Sequence, residues 1–294
     1  MRPNTRVEAH HFEALGTNCS LFAVGLSRGR LLEGESWVRR VGARLTRFAP
    51  DSELSRLNAS PGKWVDVSPE MELLLRASLR AFETSGGLVN VAVLPSMLAI
   101  GYTHSMVFPL PERERVRVRG FGAQSATATQ PAPPVADVLT IRSGRARIEP
   151  GCGLDLGGVA KGWMADRLRE AMGPNALANL GGDLSAGGPG PGGDGWPVGL
   201  AGVTVMLHDH GAATSSVRRR RWGDVHHLID PRTGLPARTG LEEVSVVAAT
   251  GFDAEVVAKT ALLVGPALAP TYCAANALAW WLSGPSPVEV TASA

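Results

Sequence analysis

At 294 residues and 44% hydrophobic content, the chain can bury a substantial core, as one large domain or two intimate lobes. A formal net charge of +2 with both signs interspersed gives no general case for a nucleic-acid partner. No run of about 18 apolar residues argues for membrane insertion. The start, "MRPNTRVEAHHFEALG", lacks an apolar h-region, and Cys19, Cys152 and Cys273 have neither zinc nor disulfide spacing, so a reducing cytoplasm is expected.

In chain order, "FEALGTNCSLFAVG" reads as strand, tight turn at Gly16, strand, after a tail over residues 1–11. "LLEGESWVRRVGARLTRFA" carries helical spacing through Leu32, Trp37, Val41 and Leu45. A clearer helix follows, with Ser68 at the N-cap, Pro69 at its first position and Glu70 and Glu72 in the first turn; Gly86 and Gly87 end it. Residues 120–136 are poor in bulky apolar side chains and read as a mobile surface loop. "VLTIRSGRARIEP" is a hairpin turning at Ser143-Gly144. "GWMADRLREAM" is an amphipathic helix with Val159, Trp163 and Leu168 on one face, ended by Gly173-Pro174.

Beyond it, "ALANLGGDLSAGG" is a buried strand breaking into glycines, and "GPGPGGDGWPVGL" a loop entering a strand. "LEEVSVVAAT" is a strand, "DAEVVAKTALLVG" a helix stopped by glycine, and "ALAWWLSG" a closing strand. Strands and helices alternate without a regular βα repeat. The expected class is α+β, a mixed and largely antiparallel sheet with packed helices.

Glycines beside acids are the main chemical signal. "LDLGGVAKG" places Asp155, Gly157, Gly158 and Lys161 where a strand becomes a helix. It fits neither the P-loop nor the dinucleotide fingerprint, yet free N–H groups and a positive dipole end there suit phosphate. A plain glycine turn with a surface lysine fits the segment equally well. "NLGGDL" repeats the theme with Gly181, Gly182 and Asp183, and "ATSS" reads as a hydroxyl-rich turn. "HHLIDPRTGLP" joins His227 to a D-P-R-T-G turn, and His227 is either a general base or an ordinary strand residue. The run Arg218 to Arg221 is read as a solvated hairpin turn, with a phosphate contact as the alternative.

The ordered set "ALGT", "FAPDSELSRLN", "TSGGLVNVAVLP", "LDLGGVAKGW", "NLGGDL", "ATSS", "HHLIDPRTGLP" and "AEVVAKTALLVG", across residues 12 to 282, resembles the ApbE family of flavin transferases. The resemblance implies one domain over residues 12–294, with an α+β fold related to the T-fold. It also implies a reaction: FAD is the substrate, Mg²⁺ the cofactor, and the FMN half passes to a Thr or Ser hydroxyl of an acceptor flavoprotein, releasing AMP. By family position Leu15 and Phe48 meet the flavin nucleotide, and Leu88, Val89 and Asn90 line the same site. Asp155 and Lys161 bind the nucleotide, while the Gly158 carbonyl faces the metal. Gly181, Gly182 and Asp183 shape the cleft wall; His227 and Leu228 border flavin and diphosphate, His227 as the base. FAD hydrolysis to FMN and AMP, or FAD binding without catalysis, are the competing readings.

Three departures accompany the resemblance. The family's D-P-T is Asn90-Val91-Ala92 here, and Ser216 stands where A-T-S-G has its glycine. The metal-binding Asp and Thr positions hold Glu255 and Lys259. Spaced i, i+4, these two share a helix face. Glutamate still offers oxygen to a hard cation, whereas an ammonium has three donors and no acceptor. Two readings stand: a surface ion pair, or a Lys259 ammonium that takes over part of the metal's role at the FAD diphosphate.

Overall fold

The computed structural model describes residues 6–105, 130–218, 220–222 and 225–284. Its elements run β1 (Val7–Ala14), β2 (Thr17–Val24), α1 (Arg28–Leu45), α2 (Glu53–Asn58), β3 (Val65–Asp66), α3 (Pro69–Thr84) and α4 (Leu94–Ala99). Next come α5 (Val135–Val138), β4 (Leu139–Arg142), β5 (Arg145–Ile148), α6 (Ala160–Met172), β6 (Ala176–Leu180), β7 (Leu184–Gly187), β8 (Trp196–Leu200) and β9 (Val203–Leu207). The chain continues through β10 (Gly211–Ser216), β11 (Arg221–Trp222), β12 (Val225–His226), β13 (Ile229–Asp230), β14 (Leu235–Pro236), β15 (Glu243–Ala248), α7 (Gly251–Val264), α8 (Ala269–Asn276) and β16 (Ala279–Ser283).

One seven-stranded sheet, ordered β1-β2-β6-β7-β10-β15-β16, carries the fold, and every neighbouring pair in it is antiparallel. Helices α1, α6 and α7 pack along it, α1 against β1, α6 against β6 and β7, and α7 against β10 and β15. The strand side chains alternate as the pleat demands. Cys19, Leu21 and Ala23 of β2 and Ala176, Ala178 and Leu180 of β6 enter the core with α1 and α6, and Val244, Val246 and Ala248 of β15 enter the one with α7. Leu177, Ala212, Val247 and Trp281 point the other way, under the β8–β9 hairpin with its Trp196, Leu200 and Leu207. Covering both faces explains why "EVSVVA" is buried at every position after Glu243 rather than on alternate residues.

Local chemistry places the ends. Ser68 Oγ accepts from the Met71 N–H at 3.3 Å with Pro69 next to it, the start expected for α3. Ser143 and Gly144 turn β4 into β5. The β1–β2 turn is Leu15-Gly16 with φ of 55° and 68°, the left-handed pair that a two-residue hairpin requires.

Three expectations change. Residues 7–11, read as tail, belong to β1, which pairs along its length with β2. "ATSS" is the end of β10 and not a turn, because Thr214, Ser215 and Ser216 register against Ser245, Val244 and Glu243 of β15. The loop expected over 120–136 lies outside the described residues up to 129, and its last residues, Val135 and Ala136, open α5 with Val135 fully buried.

Candidate active site

Two glycine corners and one close helix crossing build a large cleft. The chain leaves Leu154, passes Gly157 and Gly158, and enters α6 at Ala160. Where α6 meets α7, Gly162 has no room for a side chain: a Cβ there would overlap the Gly251 carbonyl and come within 3.0 Å of Phe252 Cα. The Gly162 N–H donates to Glu255 Oε2 at 2.9 Å, and Asp166 accepts from the Gly251 and Phe252 N–H groups at 2.8 and 2.9 Å. This contact sets Lys161 and Gly158 beside Glu255 and Lys259.

The resulting cleft has a volume of about 830 Å³, within the range of ligand sites. Leu15, Phe48, Leu88, Val89 and Asn90 line it, as do Asp155, Gly158, Lys161, Gly181 and Asp183. His227, Leu228, Glu255 and Lys259 complete the expected set. Gly182 does not join them. Its N–H turns back to Asn179 Oδ1 at 2.9 Å, and it borders a second depression beside Phe22 and Trp196 instead. Successive positions of a tight β6–β7 connection face different ways, so the glycine pair cannot share one cleft.

Asp155 and Lys161, expected on the nucleotide, each meet an internal partner. Asp155 is buried and bonded to the Arg47 guanidinium, and its Oδ1 accepts from the Gly157 N–H at 2.8 Å. Arg47 also donates to the Tyr102 carbonyl at 2.7 Å and lies over the Phe48 and Tyr102 rings, 4.2 and 4.7 Å from their centroids. Phe48 and Tyr102 give the cleft an aromatic wall, and Tyr102 in turn stacks on Trp222 at 5.3 Å. Lys161 bonds Asp183, a carboxylate at 2% exposure. Burial pulls the Lys161 ammonium down to about 8; Arg220 and Lys259 push the same way, and Glu255 opposes them. Asn90 is structural as well: its amide donates to the Pro133 carbonyl and accepts from the Ala92 N–H, both at 2.9 Å.

His227 lines the same cleft. Its backbone N–H donates to the Arg220 carbonyl at 3.2 Å, which brings Arg220 to the cleft beside it. The ring's Nδ1 is out of solvent and has no hydrogen-bond partner among the described residues. Burial, followed by Arg220 and Lys259, drives its pKa well below the ordinary histidine value, so the imidazole is neutral.

Glu255 and Lys259 do not form the surface ion pair that was one of the two readings. Glu255 is buried and bonded to Gly162, while the Lys259 ammonium donates to the Gly158 carbonyl. The reason is the α6–α7 approach, which places backbone groups of the glycine corner closer to each side chain than they are to one another. The same contacts test the expected Mg²⁺ site. Its carbonyl already holds an ammonium, its glutamate holds an N–H, and Lys259 has no lone pair to offer while protonated. Among the described residues, no group of three or more His, Cys, Asp and Glu side chains is placed to hold a metal ion. These donors do not fit a divalent cation.

Sequence reading missed Arg47, Tyr102 and Arg220. Arg47 had a signal, since it immediately precedes Phe48 in a quoted motif. Arg220 lies in the arginine run read chiefly as a solvated turn; Arg218, pairing with Glu242 at 2.5 Å on the surface, and the exposed Arg221 follow that reading, while Arg219 lies outside the described residues.

Comparison with known proteins agrees with the architecture. The ApbE family model matches residues 15–281. The FAD:protein FMN transferase of Klebsiella pneumoniae is 27% identical over 252 residues, covering 78% of this chain and 72% of the relative. That of Haemophilus influenzae is 23% identical over 284 residues, covering 85% and 77%. A crystal structure of the ApbE protein from Thermotoga maritima has the same fold, with a TM-score of 0.76 at 21% identity over 94% of both chains.

Proposed function

The chain belongs to the ApbE family, and on that premise we propose that it transfers the FMN half of FAD to a Thr or Ser hydroxyl of an acceptor protein, releasing AMP. The observation that carries this reading is a neutral His227 imidazole held among Lys161, Lys259 and Arg220 at one cleft. Phosphoryl-type transfer asks the protein for three things: offset of diphosphate charge, an oriented nucleophile and a proton acceptor. The acceptor oxygen attacks the FMN phosphorus and forms the new P–O bond. The bridging P–O bond breaks, and its electron pair leaves with AMP. The hydroxyl proton goes to His227, whose low basicity in the free protein rises once an anionic diphosphate offsets the surrounding positive charge. Phe48 and Tyr102 offer apolar ring surface to the flavin side, with Trp222 stacked on Tyr102. Lys161 and Arg220 stand on the diphosphate side. The reading includes a cytoplasmic place of action, with which three free cysteines accord. Among the described residues no helix is long and apolar enough to cross a membrane.

The test is incubation with FAD and a Thr- or Ser-bearing acceptor protein, read by covalent flavin fluorescence on the acceptor and by AMP release. Labelled acceptor supports transfer. Free FMN with AMP and no label would make the protein a hydrolase, and unchanged FAD a binder. His227→Ala is expected to lower transfer about 100-fold or more, the scale of a lost general base, while FAD binding persists; an undiminished rate removes His227 from that role.

A further inference from the structure

We propose that the Lys259 ammonium is this protein's built-in substitute for a divalent cation, so that FAD is bound and its diphosphate neutralised without Mg²⁺. The inference rests on the flavin reading above and adds what holds the diphosphate. Lys259 projects from the middle of α7 into the cleft and donates to the carbonyl of Gly158, in the corner that opens α6. Its direct partner is thus a neutral backbone oxygen. No carboxylate lies within ion-pair distance of it among the described residues, and Glu255 and Asp155 act on it only through space. Each has its own nearer partner, Gly162 for Glu255 and Arg47 for Asp155.

An ammonium is a compact point charge with three donors. One donor is spent on Gly158, which anchors the group, and two remain for phosphate oxygens. A dication at the same carbonyl would sit against that ammonium in a partly buried site, where like charges repel more strongly than in water. The glycine is itself part of the device. At position 158 any Cβ would overlap the Lys259 ammonium, although the backbone there is not in the left-handed region. Lys161 and Arg220 face the same space from α6 and from the segment before β11. The charges that a diphosphate needs are therefore supplied by three separate elements of the chain.

The decisive experiment is calorimetric titration of FAD into the full chain, once in EDTA and once in excess Mg²⁺, for the native protein and for Lys259→Thr. Folding of each is checked by circular dichroism. The native protein is expected to bind FAD with the same affinity in both buffers, within about twofold. Lys259→Thr removes the ammonium, frees the Gly158 carbonyl and adds a hydroxyl oxygen near Glu255. It is expected to lose about tenfold or more in EDTA, as one charge-assisted hydrogen bond is removed, and to recover part of that loss with Mg²⁺. If native binding is tight only in Mg²⁺, the inference is overturned and the flavin reading stands. If FAD binds in neither buffer, the flavin reading fails and the inference falls with it. Should Lys259→Thr not fold, Lys259→Met serves in its place: its affinity in EDTA must drop, and an unchanged value overturns the proposal.

Discussion

Arg47 and Asp155 are both nearly removed from solvent, at 5% and 9% side-chain exposure, and are bonded to one another. Taking two charges out of water is costly, and the attraction between them offsets that cost only while both are present. Arg47→Met is therefore expected to destabilise the fold by about 3–5 kcal/mol, because it leaves the Asp155 carboxylate buried without its cation. Urea denaturation measures this. The double variant Arg47→Met/Asp155→Asn should be more stable than Arg47→Met alone, and a purely additive result would show that the two side chains do not depend on one another. The sequence marked Asp155 and Lys161 as residues of the cleft by their place in a glycine-rich corner. It did not show that Arg47 and Asp183 hold them, since these partners stand 108 and 22 positions away.

At the scale of elements, local signals were strong. Ser68-Pro69 begins α3, Gly173 with φ of 114° follows α6, and Ser143-Gly144 turns a hairpin, as cap and turn chemistry requires. "ATSS" misled for the opposite reason: hydroxyl residues favour turns when isolated, but pairing with β15 satisfies their backbone in a central strand. The junction of α6 and α7 yields a contrast between two glycines. Gly162→Ala drives a methyl group into the Gly251 carbonyl and against Gly251 C at 2.8 Å, backbone that cannot move without parting the helices. A loss of about 1–3 kcal/mol is expected. Gly158→Ala meets only the end of the Lys259 side chain, which can swing away. Its stability should change by less than about 0.5 kcal/mol, while FAD affinity falls because the ammonium is displaced. Equal stability losses from the two substitutions would contradict this account of the crossing.

For the whole molecule, two neighbouring histidines, His226 buried and His227 half-buried at the cleft, couple folding to acidity. His226 donates from Nε2 to the Ala237 carbonyl at 2.9 Å, and its Nδ1 faces the Leu228 N–H at 3.3 Å, an arrangement that suits only the neutral ring. Burial lowers the pKa of His226, and that of His227 further still. Below the ordinary histidine value of about 6.5 the unfolded chain takes up protons that the folded chain refuses, so stability falls as pH drops through that value. Between about pH 6.5 and pH 5 the ordinary carboxylates are still ionised, so the effect in that window belongs to the histidines. Melting temperatures at pH 7.5 and 5.5 measure it, with the lower one expected at 5.5. A flat profile would mean that both rings accept protons inside the fold.

The sequence by itself determined many of the strands and helices, the glycine corners and, through the succession of motifs, the family. These follow from short-range causes: side-chain periodicity, caps, turns and backbone freedom act within a few residues. The tertiary structure alone decided what the charged side chains touch. Lys259 could be read as Glu255's surface partner or as a stand-in for a metal until the α6–α7 crossing brought it to a carbonyl 101 residues away. In the same way the β6–β7 connection sent Gly181 to the cleft and Gly182 to the other side. Partner choice depends on distance in space, and no local pattern encodes the separation of two groups a hundred residues apart.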